Sequence, residues 1–217
     1  TMAINAEIAK QLPLDDQQDF ADATRGLIAS QKPLQVKNAD GKVLWDMEKY
    51  AFIDGAAPDS VNPSLWRQAK LNNIHGLFEV TPGIYQLRGF DLANITLIQG
   101  KTGWILVDPL TTAPTARNAL AFAREQLGDQ KISAIIFTHS HIDHFGGIDG
   151  VLTDNEREQL QVIAPEGFME EASSENILAG PTMQRRAQYM YGSRLERSAT
   201  GHVDTGLGKQ PPFGGDI

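Results

Sequence analysis

The chain has 217 residues, with 27 acidic against 19 basic side chains and a net charge of -8. That balance repels nucleic-acid phosphates over most of the surface, so a small-molecule substrate is expected and a nucleic-acid partner is not. The longest apolar runs, "AIIF" and "WILV", fall far short of the roughly 18 residues a membrane span needs, so none is expected.

With no cysteine, disulfides, iron–sulfur clusters and thiolate metal sites are excluded; any metal must be held by nitrogen and oxygen. The opening "TMAINAEIAKQLPLDD" has neither a basic start nor an apolar stretch and does not read as a signal peptide.

Along the chain, "LDDQQDFADATRGLIASQ" spaces Leu14, Phe20, Ala23 and Leu27 at helical intervals, and the spacing predicts an amphipathic helix. "GKVLWDMEKYAFIDG" is ambiguous between strand and short helix. "NPSLWRQAKLNNIHG" reads as a helix with Pro63 near its start and Gly76 as its stop. From residue 77 the period changes. "LFEVTPGIYQLRGF" alternates around Pro82-Gly83, a hairpin signal, and "NITLIQGKTGWILVDPL" repeats the pattern.

"TTAPTARNALAFAREQLGDQ" reads as a helix with Gly128 past its end, and "KISAIIFTH" as a buried strand. "LQVIAPEGF" is another buried strand, followed by "EEASSENILAGPTMQRRAQYMYGSRL", mostly helical and interrupted at Gly180-Pro181. The Gly- and Pro-rich "SATGHVDTGLGKQPPFGGDI" reads as loop. Strand meander followed by strand-helix-strand predicts an α/β sandwich with a mixed sheet. A boundary is expected near residue 76, with an N-terminal helical arm over residues 1–76 and the first part of a catalytic domain over 77–217.

His139, His141, Asp143 and His144 form H-x-H-x-D-H immediately after the strand "SAIIF". Alternate side chains at a strand end point the same way, so His139 and His141 can share one ion, while Asp143 and His144 face a second. Imidazole with carboxylate suits zinc, manganese or iron. Gly146-Gly147 lets the chain pass closely under the site. His75 and His202 stand alone and read as satisfied core residues. Asp108, ending "WILVDP", can orient a ligand imidazole through its other ring nitrogen, the competing reading being a helix N-cap. Asp108 and Asp143 are the candidate catalytic carboxylates.

A catalytic zinc takes three protein ligands and keeps an open position, so two ions want about six contacts, some bridging. The motif supplies four side chains. Glu166, Glu170, Glu171 and Glu175 sit on what reads as an exposed helix, where acids form a solvated face. The motif therefore reads as the first part of a two-metal site.

H-x-H-x-D-H after a strand resembles the metallo-β-lactamase superfamily. "GLFEVTPGIYQLRGFDLANITLIQGKTGWILVDPL", "THSHIDHFGG", "VIAPEGFMEEASSENILAG" and "RRAQYMYG" together resemble its alkylsulfatases, the sodium-dodecyl-sulfate hydrolase type. The resemblance implies the N-terminal part of an αββα sandwich, and hydrolysis of an alkyl sulfate ester to an alcohol and inorganic sulfate. It also implies two zinc ions, one on His139 and His141 and the other on Asp143 and His144.

Two glutamates and a further histidine come from downstream sequence in that family, as do a helical dimerisation domain and a sterol-carrier-like domain. The partners implied are thus the remainder of the same polypeptide or a companion C-terminal chain, and a second copy in a homodimer. A periplasmic or secreted location is implied as well. Tyr191 and Ser193 resemble positions lining the substrate cavity, and equally suit a packing aromatic and a helix-end hydroxyl. Arg185, Arg186 and Arg194 could attract the anion or lie on an exposed face. The competing functions are another two-metal hydrolase of the superfamily (lactonase, thioesterase or β-lactamase) and a non-catalytic metal-binding fragment.

Overall fold

The computed structural model describes residues 1–157 and 160–210. The chain opens with helices α1 (Met2–Gln11) and α2 (Gln18–Thr24), then enters strand β1 (Leu27–Ala29) and a small hairpin, β2 (Gln35–Lys37) with β3 (Val43–Asp46). Helix α3 (Pro63–Leu71) has Asn62 as its cap, whose side chain accepts from the Ser64 N–H at 2.9 Å, and Pro63 in its first turn, where a missing N–H costs nothing. Strands β4 (Gly76–Thr81), β5 (Ile84–Arg88), β6 (Ile95–Gln99) and β7 (Trp104–Val107) form an antiparallel meander. Helix α4 (Ala113–Leu127) then crosses to β8 (Ile132–Ile136). After the histidine loop and the short α5 (Asp154–Arg157) come β9 (Gln161–Ile163), α6 (Phe168–Ser173), a π-helical turn at Ser174–Leu178 and α7 (Gly180–Tyr191).

Seven strands form one mixed sheet in the order β1-β4-β5-β6-β7-β8-β9. Pairings up to β7 are antiparallel, and β7–β8 and β8–β9 are parallel. The strand alternation sets which face is buried. Leu87, Ile95, Leu97, Leu106 and Ile135 are fully buried together with Ala116, Ala119 and Ala123 of α4 and with Leu34 and Trp45 of the β2–β3 hairpin. Alternate residues on the opposite face, Ile84, Ile98, Ile105, Val107 and Ile136, are half-buried. The architecture is the α/β fold with a mixed sheet that the strand and helix order predicts.

Several local expectations are corrected. The helix expected over "LDDQQDFADATRGLIASQ" is confined to α2, and Leu27 lies in β1 instead. Gly26 (φ +74) makes the switch, passing so close to β4 that an added Cβ would sit 2.1 Å from the Glu79 carbonyl oxygen. The ambiguous "GKVLWDMEKYAFIDG" is both, strand β3 followed by one 3₁₀ turn over Glu48–Tyr50. Gly76 opens β4 rather than ending α3, whose C-cap is Asn72.

The break in the last helical segment falls at Ala179, after the π turn and directly before the expected Gly180-Pro181, and Pro181 sits harmlessly in the first turn of α7. Residues 1–76 are not a separate helical arm. Strand β1 pairs with β4, and the β2–β3 hairpin packs into the main core, where Leu34, Val36, Trp45 and Met47 are buried away from water. The part of the terminal loop within "PPFGGDI" lies outside the described residues; His202, Asp204 and Lys209 before it are buried.

Candidate metal centre

Because β7 and β8 are parallel neighbours, their carboxyl ends emerge side by side, where α/β sheets place their ligands. Asp108 leaves the end of β7 and Thr138-His139 leave the end of β8. The Asp108 N–H donates to the Ile136 carbonyl at 3.0 Å, which fixes the two ends together. The turn is sharp, since Asp108 and Leu110 both have positive φ, 57° and 67°. Such backbone strain persists only where the surroundings enforce it. They do so here through Asp91, a buried carboxylate that accepts from the Thr111 N–H (3.2 Å), Thr111 Oγ1 (2.8 Å), Thr115 Oγ1 (2.6 Å) and the Leu92 N–H (2.7 Å). Burial raises its pKa and these hydrogen bonds partly offset the rise.

Asp108 is buried and hydrogen-bonded on both oxygens. Oδ1 accepts from the Thr138 N–H at 2.8 Å, and Oδ2 accepts from Thr138 Oγ1 at 2.7 Å and from His144 Nδ1 at 2.8 Å. The α4 cap is Thr112, so Asp108 orients an imidazole and does not cap the helix. Burial pushes the Asp108 carboxyl up, but the hydrogen bonds from His144 and Thr138 and the imidazole's charge outweigh it and leave the pKa below its ordinary value.

The Thr138 hydroxyl has a single proton, given to Asp108; its oxygen therefore accepts from His139 Nδ1, 2.9 Å away. One carboxylate thus fixes two imidazoles, leaving Nε2 of His139 and of His144 for other work. Burial and the neighbouring imidazoles lower the His139 pKa and keep the ring neutral, the form that binds a cation.

The rings of His139 and His141 lie 4.6 Å apart, and those of His139 and His144 4.1 Å apart. Asp143 Oδ2 lies 3.3 Å from His144 Nε2. Ligand atoms on a shared tetrahedral ion with bonds of ~2.0–2.1 Å sit about 3.4 Å apart, so this pair has ligand spacing. Hydrogen bonds to Asp108 and Asp143 raise the His144 pKa to about 9. Two carboxylates around one imidazole thus call for positive charge at the position a cation would fill. Hydrogen bonds from His144, working against burial, lower the Asp143 pKa.

The donor set suits a metal in kind and in spacing, and is short in number. Among the described residues no three His, Asp or Glu side chains converge on one ion position. The glycines act as expected from the sequence: a Cβ on Gly146 would meet the Thr111 carbonyl oxygen at 2.4 Å, and one on Gly147 the Pro109 carbonyl oxygen at 2.0 Å.

Residues 88–155, which hold the whole histidine stretch, match the metallo-β-lactamase superfamily. The chain is 52% identical over 212 residues to an (R)-specific secondary-alkylsulfatase of Pseudomonas sp., covering 96% of this chain and 32% of that one. It is 46% identical over 217 residues to an alkyl/aryl-sulfatase of Saccharomyces cerevisiae, covering 99% of this chain and 34% of that one. It superposes with a TM-score of 0.91 and 52% identity on a solved structure, the stereoselective inverting sec-alkylsulfatase Pisa1 from Pseudomonas sp., over 97% of this chain and 33% of that one. In sequence and fold the chain matches the N-terminal portion of the alkylsulfatases. It spans about a third of the length of the relatives it matches.

Asp108 contacts His144, Asp143 lies 3.3 Å from His144, and the His139 ring lies 4.1 and 4.6 Å from those of His144 and His141. Tyr191 closes α7 and Ser193 follows Gly192, both half-buried, and neither is hydrogen-bonded to the histidine cluster among the described residues. Arg194 lines a cavity of about 690 Å³ with Lys49, Tyr50 and Arg197, away from the histidines. Arg185 and Arg186 are exposed.

Sequence reasoning missed Thr138, Asp91 and Glu175. Thr138 stands inside the quoted motif and was legible as a hydroxyl beside a ligand; the other two carry no local signal. Glu175, expected on a solvated face, has its Oε1 3.3 Å from His141 Nε2. His75 is buried with its ring nitrogens 2.9 and 3.1 Å from the carbonyl oxygens of Asn73 and Gln31, as a core histidine should be. His202 departs from that expectation. It is buried, and its ring nitrogens have no hydrogen-bond partner among the described residues.

Proposed function

We propose that this chain is the first part of an alkylsulfatase that hydrolyses alkyl sulfate esters to an alcohol and inorganic sulfate at a binuclear zinc site, completed by residues outside the chain. The observation that carries the reading is the pairing of Asp108 with His144 and, through Thr138, with His139. This is the outer support that metal-binding imidazoles need. His139 and His141 would hold one ion, Asp143 and His144 the other. When bound, such ions supply a nucleophilic water at neutral pH and offset the charge of the sulfate group.

The chain's own residues do the rest. Asp108 orients the His144 imidazole directly and that of His139 through Thr138, and the Gly146-Gly147 turn holds the loop against 109–113. Tyr191 and Ser193 would border the cavity that takes the alkyl tail. The open edge of β9, where Val162 and Ile163 are 45% and 51% exposed, and the half-buried sheet face suit packing by the remainder of the polypeptide. A homodimer and a periplasmic or secreted location complete the reading.

The test is release of inorganic sulfate from dodecyl sulfate by the intact polypeptide, with and without chelator. Chelator-sensitive release is expected. Turnover of a lactone, thioester or β-lactam with no sulfate release would replace the assignment by another reaction of the superfamily.

A further inference from the structure

His141 is the one imidazole of the motif that the Asp108–Thr138 network does not reach. Its Nε2 lies 3.3 Å from Oε1 of Glu175, which comes from the π-helical turn between α6 and α7. Two features make this contact more than a surface pair. First, the turn is inverted relative to a solvated face: the Glu175 side chain is 33% exposed, while the apolar Ile177 and Leu178 are 72% and 80% exposed. Second, the Ala179 N–H reaches back to the Ser174 carbonyl at 3.0 Å, the wide hydrogen bond of a π turn, an insertion that recurs at functional sites because it re-aims side chains.

We propose that Glu175 is a positioning residue for His141, accepting from its Nε2–H and leaving Nδ1 with the lone pair. This rests on the reading of His139 and His141 as ligands of one ion. His139 is fixed through Nδ1 and His141 through Nε2, so the two rings, 66° apart in plane, present opposite nitrogens. Carboxylate support of this kind typically changes metal affinity by ~10–100-fold. Glu175 thus does for His141 what Asp108 does for His144, from an element distant in sequence.

The experiment is zinc binding by the intact polypeptide, followed by competition with a chromophoric chelator, with no substrate present. Glu175→Ala is expected to raise the dissociation constant of one of two ions by ~10–100-fold. Glu175→Gln, whose side-chain oxygen can still accept from Nε2–H, should stay within about threefold of the parent. In a His141→Ala background, Glu175→Ala should add no further loss, and circular dichroism of each variant confirms that it is folded. Unchanged affinity in Glu175→Ala, or an equal loss in both Glu175 variants with one zinc equivalent missing, overturns the assignment; the latter would make Glu175 itself a ligand. A parent protein that takes up no zinc overturns the proposed function and this assignment with it.

Discussion

The carboxylate of Asp108 lies 2.8 Å from Nδ1 of His144, although the two residues are 36 positions apart. The contact exists because β7 and β8 run parallel and end together. Replacing Asp108 by Asn removes the charge that holds the Nδ1–H tautomer of His144. Metal affinity should fall by ~10–100-fold, measured by chelator competition. Asp108→Ala should also cost about 2–4 kcal/mol of stability in denaturant titration, since it strands the Thr138 N–H.

Gly147 and Gly128 separate crowding from backbone strain. Alanine at 147 would place its Cβ 2.0 Å from the Pro109 carbonyl oxygen, and backbone cannot move aside cheaply. A loss of about 3 kcal/mol or more is expected, with the metal site disturbed. Gly128 has nothing within 4 Å of an added Cβ, so alanine there escapes crowding and meets only the strain of a backbone at φ 92°, ψ 153°, a region essentially reserved for glycine, at a cost of about 1–3 kcal/mol. Thermal melts of the two variants check the contrast.

Lys209 and Asp204 form a buried ion pair at 2.9 Å, with side chains 1% and 0% exposed, and Lys209 also donates to the Ala69 carbonyl at 2.9 Å. Lys209→Met leaves a buried carboxylate whose remaining donors among the described residues are Asn72 Nδ2 and the Gly206 N–H. A loss of about 3–5 kcal/mol is expected. Adding Asp204→Leu should recover part of it. Denaturant titration of the single and double variants reads both.

His202 sets a pH dependence. Burial, aided by the charge of Arg197, lowers its pKa from 6.5 to about 4, so the folded chain holds the ring neutral. Between those values the unfolded chain binds a proton that the folded chain does not. Stability is therefore complete above about pH 6.5 and falls as the pH drops toward 4, by about 3 kcal/mol from this group. His202→Phe should flatten that slope in denaturant titrations across the range; an unchanged slope would assign it elsewhere.

The metal motif and the meander were legible because their signals are local. His139 to His144 fit within six positions after a strand, and period-two alternation marks β4 through β7. The helix read through Leu27 failed because its spacing was satisfied locally while the pairing of Leu27 with Phe78 overrode it. Residues 1–76 read as an arm because nothing in their own pattern shows that Leu34 and Trp45 join a core formed by β5 to β8 and α4.

The sequence by itself determined the cluster of histidines and aspartate, the turn glycines and the strand that precedes them, since each depends on neighbours within a few residues. The tertiary structure decided which carboxylate lies against which imidazole. Asp108 reaches His144, and Glu175 reaches His141, across 36 and 34 residues of chain. Such a contact depends on distance in space, and for these pairs that distance is set by strand order and a π turn, which no local pattern encodes.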